Sequence, residues 1–383
     1  MAVLSSGHCA TDFAGGALPA LLPFWVDRFE LSYTLAAAVM LVSAVSSSVV
    51  QPLFGLWSDR RGAIWLLPAG VAVAGAGTAL AAASPSYALV LTFVVLGGLG
   101  TAAYHPEGSK FAAFAGGKRR ASAMSLFSIG GNVGYALGPT IATPLVLVFG
   151  LTGGLLIAAP AVVVALALLR VAPRLRSLEP ERGRRVHSDE PDRVGALLLL
   201  LAVIACRSVA WFGLVTFVPL YEISLGHSKA HGNHLLSLML LAGGVGTLAA
   251  GPLADRFGRR PVLIVSTFVT GPLILVYLSL GGLVGALALA LVGISVIGTF
   301  GVTMVMSQEY LPRRIGVASG LSIGLSIGLG GVGAIALGAV ADSVDLRTAM
   351  YISAAAAAAG LVLALLLPSS RRSRRFAPEP VVP

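Results

Sequence analysis

Charged residues are scarce in this sequence. Asp, Glu, Lys and Arg make up 11% of its 383 residues, whereas hydrophobic residues make up 56% and the mean hydropathy is +0.90. An ordinary soluble domain has roughly 25% charged residues. A chain with so few charges cannot cover a water-facing surface. The composition therefore excludes a soluble globular protein and predicts that most of the chain lies in a lipid bilayer.

Cysteine is nearly absent as well. Cys9 and Cys206 are the two cysteines, and both lie in apolar runs, so the sequence has neither a disulfide framework nor metal-ligand spacing. No Walker A pattern occurs, and no polar segment is long enough to form an ATP-hydrolysing domain. Nothing in the sequence favours an enzyme, and we expect no cofactor and no bound metal. If the protein moves a substrate across the membrane, an ion gradient or the substrate's own gradient must therefore drive the movement.

Long apolar runs fill most of the chain instead. About 20 apolar residues suffice to cross a bilayer as a helix, and a helix satisfies its own backbone hydrogen bonds there. The sequence therefore predicts an all-α integral membrane protein with twelve transmembrane helices. The predicted spans are residues 4–26, 34–56, 63–83, 87–108, 121–146, 152–172, 194–221, 233–254, 261–281, 285–307, 315–340 and 346–367.

One polar segment divides the chain. Residues 173–193 (PRLRSLEPERGRRVHSDEPDR) are charged and contain three prolines, which is typical of a solvated linker. This segment separates an N-terminal six-helix bundle at 1–172 from a C-terminal six-helix bundle at 194–367. Residues 368–383 then form a basic tail.

The net charge of +10 has a topological explanation. If the N-terminus is cytoplasmic, all but four of the 26 Lys and Arg lie on the cytoplasmic side or at helix ends that face it. The exceptions are Arg28, Lys229, Arg347 and Arg207. This asymmetry is the positive-inside pattern of a cell-membrane protein with both termini in the cytoplasm. The arginine-rich tail is therefore expected to contact anionic lipid rather than nucleic acid.

The two halves repeat a short motif. GLWSDRRG at 55–62 aligns with GPLADRFG at 251–258, at an offset of 196 residues. Parallel repeats of six spans are one architecture of secondary transporters, whose substrate binds near the midplane between the repeats. The G-x-x-x-D-R-x-G pattern in both copies resembles the signature of the major facilitator superfamily.

Within that superfamily, the N-terminal half resembles the fosmidomycin-resistance-type efflux proteins. The resemblance is carried by His8 and Asp12 and by SSSVVQPLFGLWSDR, YHPEGSKFA and FSIGGNVGYALGP. It implies a proton-driven exporter of drugs or small anions that works by alternating access. The superfamily resemblance also implies a conformational latch, in which the carboxylates of Asp59 and Asp255 dock at helix N-termini of the other half. Arg60 and Arg256 would complete that latch.

Ionisable residues in the first span are candidates for proton coupling. A charge at the bilayer centre costs about 2.5–3.5 kcal/mol on insertion scales, so it must face protein, a partner or water. Asp12 and His8 lie one turn apart on the same helix face. Asp12 either exchanges protons, with His8 as a relay, or it is an interfacial carboxylate for which His8 is a hydrogen-bond partner.

A second candidate pair ends the fourth span. Pro106 is expected to bend or end that helix, which would place His105 and Glu107 on irregular backbone beside protein or water. Glu107 either exchanges protons, with His105 as a relay, or it pairs with Lys110, or with Arg60 or Arg61 in the adjoining loop.

Arg207 is the charged residue inside the seventh span. Its guanidinium cannot lose its proton in a protein, so it requires an anion. Either it binds an anionic group of the substrate, or it pairs with Asp12 or another acid as a gate between the halves. Asn132, Gln51 and Trp211 are further candidates for the wall of a substrate cavity, although Gln51 could equally bond to a neighbouring helix.

The sequence as a whole predicts a secondary active transporter that is a monomer. Its function is predicted to be proton-coupled export of small molecules or drugs. The alternative is an uptake symporter or a facilitator for an organic anion or a sugar. The repeat of the two halves disfavours a membrane enzyme or a receptor, because neither requires matched halves.

Overall fold

The protein is almost entirely helical. The computed structural model describes residues 1–61, 63–117, 120–176, 178 and 191–368, without the side chains of 59–61, 120–122, 315, 316 and 319. The described residues form fourteen α-helices. They are α1 Ala2–Phe29, α2 Tyr33–Ala44, α3 Gln51–Arg61, α4 Leu66–Ala82, α5 Tyr87–Gly116, α6 Arg120–Phe149, α7 Ala158–Arg176, α8 Val194–Ser224, α9 Lys229–Phe257, α10 Arg259–Leu280, α11 Gly282–Gly298, α12 Phe300–Tyr310, α13 Ile315–Ser343 and α14 Leu346–Leu366.

These helices account for all twelve predicted spans. In the described residues, 11 helical segments are long and apolar enough to cross a membrane. The predicted third span is α4, an apolar helix of 17 residues. The prediction of an all-α membrane protein with twelve helices in two bundles is therefore confirmed. Helices α1–α7 form the first half of the molecule and α8–α14 the second.

Two of the spans are interrupted. In the second span, one turn of π-helix at Val45–Val49 separates α2 from α3, and in the tenth, α11 and α12 meet at Thr299. Irregular backbone at membrane depth is tolerated beside protein or a water-filled cavity. Both breaks do adjoin a cavity, which is lined by Ser47 and Ser48 at the first and by Phe300 at the second.

The fourth span is not interrupted, contrary to expectation. Helix α5 continues through Pro106 to Gly116. A proline removes a single backbone donor, and neighbouring helices in a membrane bundle make such a position tolerable. Residues two apart on a regular helix point about 200° apart. The intact helix therefore places His105 and Glu107 on opposite sides, rather than together at a helix end.

Helices that begin at one face of the bundle share a capping chemistry. We call the face that carries Met1 and Pro368 the termini face, and the other the opposite face. At the opposite face, α2, α5, α9 and α14 each begin with a side chain that accepts a backbone N–H of the first turn. The capping residues are Ser32, Ser86, Ser228 and Asp345. The N–H of Thr348 bonds to the exposed Asp345 carboxylate and holds its pKa below the usual range.

The buried core shows where the halves meet. One large cluster, with Trp25 and Phe217 among its members, combines residues of both halves toward the opposite face. Two smaller clusters toward the termini face each belong to a single half: one includes Phe111, and the other Tyr310. Helix α3 packs on α5 of its own half, and α12 packs on helices of the second half. The halves are therefore joined at the opposite face and separate at the termini face.

Candidate functional site

A cavity of about 510 Å³ lies between the two halves. Its wall includes His8, Asp12, His105, Asn132 and Tyr135 from the first half, and Arg207, Trp211, Phe212 and Phe300 from the second. This volume is within the range of small-molecule sites, which combine apolar walls with a few placed polar groups. The sequence-predicted residues His8, Asp12, His105, Asn132, Arg207 and Trp211 thus share one cavity.

Asp12 lies between two histidines on this wall. Its Oδ1 is 2.9 Å from Nε2 of His105, and its Oδ2 is 3.2 Å from Nε2 of His8. The His8 and His105 rings meet edge to face, with centroids 4.9 Å apart. The Asp12 side chain is 20% exposed, so it is largely desolvated but in contact with the cavity. Helices α1 and α5 together therefore build one carboxylate–imidazole cluster.

The hydrogen bond of His8 to Phe127 indicates where the imidazole carries its hydrogen. His8 Nδ1 lies 2.8 Å from the carbonyl oxygen of Phe127, and a carbonyl can only accept. Nδ1 therefore carries a hydrogen, and in neutral His8 the lone pair of Nε2 would face the Asp12 carboxylate. A proton between Nε2 and Oδ2 removes this repulsion. The contact consequently favours one extra proton, shared by His8 and Asp12.

His105 has a different hydrogen-bond pattern. The amide nitrogen of Gln51 donates to its Nδ1 at 3.1 Å, so Nε2 carries the hydrogen that bonds Asp12. His105 thus donates from Nε2 to the Asp12 carboxylate. Gln51 is not among the lining residues of the cavity; it contacts the site through His105, which is the neighbouring-helix alternative that the sequence left open.

A glycine makes room for the His8–Asp12 pair. Helix α6 crosses α1 closely at Gly131, where an added Cβ would lie 2.5 Å from His8 Nε2 and 2.6 Å from Asp12 Oδ2. The ring of Phe127, one turn earlier on α6, stacks on His8 with centroids 4.1 Å apart. Together these contacts fix the imidazole on two sides, and a side chain at position 131 would displace it.

Arg207 lies on the second half of the cavity wall and is 7% exposed. Its Nη2 donates to the carbonyl of Val296 at 2.6 Å, near the end of α11. Its buried Nε has no hydrogen-bond partner, and in the described part of the chain no ion pair joins Arg207 to an acid. The predicted alternative of an Arg207–Asp12 pair is not formed in this conformation.

Glu107 lies away from the cluster. It is fully buried and outside the cavity lining, and its Oε2 accepts from Ser58 Oγ and lies 2.8 Å from Lys110 Nζ. Its Oε1 has no partner. This is the Lys110 pairing that the sequence offered as one alternative. In the second half, Glu309 is similarly paired, with Arg259 Nη1 at 2.5 Å.

The predicted latch at the termini face is described only for its second copy. The side chains of Asp59 and Arg60 lie outside the described residues. Asp255 is exposed, and Arg256 lies over the ring of Phe257 with 5.2 Å between its guanidinium carbon and the ring centroid. Because the halves are apart at this face, Asp255 here remains open to solvent. The latch role of Asp255 stays a prediction for a conformation in which the halves meet at the termini face.

A latch of the same chemistry is present at the opposite face, and sequence reasoning missed it. The carboxylate of Asp342, at the end of α13, accepts from the backbone N–H groups of Tyr33 and Thr34, at the start of α2. Lys229 of the second half also forms an ion pair with Asp27 of the first. In the sequence, Asp342 lies between the predicted spans 315–340 and 346–367, a position that says nothing about its distant partner.

Buried polar contacts between α6 and α9 reinforce this closed face. The amide of Asn233 donates to Thr143 Oγ1 at 2.8 Å and to the carbonyl of Ala20 at 3.1 Å. Thr140 Oγ1 donates to Ser237 Oγ at 3.0 Å. The cavity is therefore sealed toward the opposite face and accessible from the termini face.

Comparison with known proteins agrees with this architecture. Residues 4–331 and 228–383 match the Major Facilitator Superfamily. The chain is 34% identical to the uncharacterised MFS-type transporter YfnC of Bacillus subtilis, over 96% of this chain and 92% of that protein. It is 30% identical to the Fosmidomycin resistance protein of Escherichia coli, over 97% and 93%.

The fold is similar to that of solved transporters. An inward-facing, occupied structure of a bacterial homologue of the human lysosomal transporter Spinster superposes with a TM-score of 0.78 at 16% identity, over 95% of both chains. The relatives are transporters rather than enzymes. With its paired six-helix halves and central cavity, the chain is a multi-pass membrane transporter that belongs to the major facilitator superfamily.

Proposed function

We propose that this transporter is a proton-coupled exporter of small organic molecules, in which the proton binds at the His8–Asp12 contact. The observation that carries the proposal is the hydrogen-bond pattern of His8. Because Nδ1 is committed to the Phe127 carbonyl, the contact between Nε2 and Asp12 is stable when it holds one proton and repulsive when it holds none. The His8–Asp12 contact is therefore a proton-binding site that faces the cavity.

Glu107 is assigned a structural role in this proposal. Its carboxylate is buried against Ser58 and Lys110, and no part of it lines the cavity. A group that couples protons to cargo must exchange them with the space that the cargo occupies. Asp12 and the two histidines meet that condition.

The presence of Arg207 in the cavity wall indicates that the cargo carries an anionic group. The Arg207 side chain lines the cavity, and its buried Nε has no partner. In such a desolvated place a charge-assisted hydrogen bond contributes about 1.5–3 kcal/mol. A small organic anion such as a phosphonate suits this cation. Aromatic side chains of Tyr135, Trp211 and Phe212 in the cavity wall would cover its apolar portion.

Antiport follows if cargo and proton compete for Asp12. A cargo molecule with an anionic group on Arg207 and a hydroxyl or amide donor on Asp12 would take the place of the shared proton. Proton binding would then displace the cargo. The relative named Fosmidomycin resistance protein supports export, and fosmidomycin is the first compound to test.

Alternating access would move the halves against each other. We place the rocking units at 1–172 and 194–367, joined by the linker 173–193, with residues 368–383 as a tail. If both termini are cytoplasmic, as the positive-inside pattern indicates, the conformation described here is open to the cytoplasm and closed outside. Such a state accepts cargo for export.

A symporter is the second candidate, and the same cluster distinguishes it. If cargo contacts Arg207 and not Asp12, the extra proton adds positive charge to the cavity wall and strengthens binding of an anion. Acidification would then raise cargo affinity, whereas competition at Asp12 would lower it. The direction of this pH dependence separates symport from antiport.

The decisive experiment uses the purified protein in proteoliposomes with an imposed pH gradient and labelled cargo. We expect cargo to move against the proton flow in the wild type. We expect Asp12→Asn to abolish gradient-driven flux while cargo exchange without a gradient persists. Cargo that moves with the proton flow would establish the symporter, and gradient-driven flux retained in Asp12→Asn would refute the proton site.

A further inference from the structure

A second histidine–carboxylate cluster lies at the opposite face, outside the transport cavity. Glu222 near the end of α8, His227 in the α8–α9 connection and His231 in the first turn of α9 bring their ligand atoms within 4.8 Å of one another. His227 Nδ1 is 2.6 Å and His231 Nε2 3.4 Å from Glu222 Oε2. The transport proposal does not use any of the three.

The carboxylate of this cluster is held in place. Glu222 is 4% exposed, and its other oxygen, Oε1, accepts from the hydroxyl of Tyr277 on α10 at 2.6 Å. Carboxylates that bind metal ions are commonly oriented by such an outer hydrogen bond. Gly232 allows α9 to approach α8 closely, since an added Cβ would lie 2.9 Å from the backbone of Pro219.

The two imidazoles complete an open coordination set. Their side chains are 50% and 47% exposed, so one side of the cluster faces solvent while the carboxylate closes the other. Two imidazole nitrogens and one carboxylate oxygen are the ligands of many three-residue zinc sites, with water as the fourth ligand. Ligands of a tetrahedral zinc ion lie about 3.3 Å apart, close to the separation of His231 and Glu222. His227 Nδ1, at 2.6 Å from Glu222 Oε2, lies closer than this and would have to move away from the carboxylate when the ion binds.

We propose that Glu222, His227 and His231 form a binding site for a divalent transition-metal ion, Zn²⁺ above all. Without the ion, the same atoms form the His227–Glu222 hydrogen bond. With the ion, His227 Nδ1, His231 Nε2 and Glu222 Oε2 coordinate it. Imidazole ligands favour zinc and copper over magnesium and calcium.

The proposed metal site lies next to an ion pair that joins the two halves at the opposite face. Lys229 lies between the two histidines in sequence, and its ammonium pairs with Asp27 of the first half. An ion bound to Glu222, His227 and His231 would cross-link the end of α8 to the start of α9. It would therefore fix the segment that presents Lys229 to the other half at the closed face.

The test is calorimetric titration of the detergent-purified, chelator-treated protein with Zn²⁺, with Co²⁺ absorption as a second measurement of tetrahedral coordination. The titration is performed in an Asp12→Asn background, because His8, Asp12 and His105 also bring ligand atoms within 4.8 Å of one another. We expect one Zn²⁺ per chain and a Zn²⁺-dependent rise in melting temperature. The His227→Gln/His231→Gln variant should bind at least tenfold more weakly.

His234→Gln is the matched control, because His234 is exposed on the same helix but outside the cluster. It should bind Zn²⁺ like its parent. Absence of Zn²⁺ binding in the parent protein, or equal binding by the double variant, would overturn the proposal. If the double variant is not stable enough to purify, the single variant His231→Gln provides the same comparison. The metal-free melting temperatures of all variants verify that they fold.

Discussion

The carboxylate of Asp342 caps the first turn of a helix in the other half of the molecule by holding Thr34. Oδ2 of Asp342 accepts from the backbone N–H of Thr34 at 3.0 Å and from its hydroxyl at 2.6 Å. The two residues are 308 positions apart in the chain. An acid at a helix N-terminus satisfies orphan N–H groups and interacts favourably with the helix dipole. This bond exists only while the halves touch at the opposite face.

Loss of this cap should open the opposite face. Removal of an N-cap side chain costs about 1 kcal/mol, which corresponds to roughly a fivefold change in an equilibrium. We expect Asp342→Ala to shift the population by about that factor toward the state that is open at the opposite face. Spin-label distances across the opposite face would report the shift. Ser343→Ala is the control, because Ser343 bonds only within its own helix, and an equal shift in both variants would contradict the gate.

Gly131→Ala should disable proton coupling while it leaves the Arg207 side of the cavity wall unchanged. Its Cβ would meet His8 Nε2 and Asp12 Oδ2, and overpacking of this kind costs typically about 1–3 kcal/mol. We expect gradient-driven flux to fall strongly. Gly324→Ala is the control, since an added Cβ there meets nothing within 4 Å. Normal gradient-driven flux in Gly131→Ala would show that the His8–Asp12 contact is dispensable.

Arg207→Ala should weaken binding of anionic cargo about 10- to 100-fold, the range of a lost charge-assisted hydrogen bond. Arg207→Lys keeps the charge and should lose less. Equilibrium binding of one anionic and one neutral cargo molecule provides the comparison. If both bind equally less well in Arg207→Ala, the guanidinium acts as a gate and not as a cargo contact.

Glu107→Gln should reduce stability more than transport. The substitution removes the negative charge that pairs with Lys110 and accepts from Ser58, and a hydrogen bond to a charged group contributes about 1.5–3 kcal/mol. We expect a lower melting temperature, with partial recovery in Glu107→Gln/Lys110→Met and retained proton-driven flux in both. Loss of proton-driven flux at unchanged stability would instead assign Glu107 the proton role that the sequence suggested.

Some features of the site could be predicted from the sequence because they depend on local chemistry. Asp12 and His8 stand one turn apart in an apolar helix, and Arg207 is an obligatory cation in another. Residues of this kind need compensation wherever the helix packs. The cavity does gather these three residues, together with Asn132 and Trp211. His105 also lines the cavity, but the sequence paired it with Glu107, and the unbroken helix α5 places those two residues on opposite sides.

Other features required the packed structure. We predicted no metal-ligand spacing from the sequence, although His227 and His231 stand four residues apart in HSKAH. Glu222 joins them only because α8 and α9 approach at Gly232. The expected irregular backbone at Pro106 is a regular helix, since neighbouring helices and not the proline alone decide whether a helix ends.

Three properties could be predicted from the order of the amino acids alone: that the chain lies in a bilayer, how many helices cross it, and that these helices form two halves. These follow from composition, from the length of apolar runs and from repeated motifs, all of which are local properties. The partner of each ionisable group is known only from the folded protein: His105 faces Asp12, Glu107 faces Lys110, and Asp342 faces Thr34. Such pairings depend on how each helix is rotated and where it crosses its neighbours, and an apolar helix surface leaves both open until the helices pack.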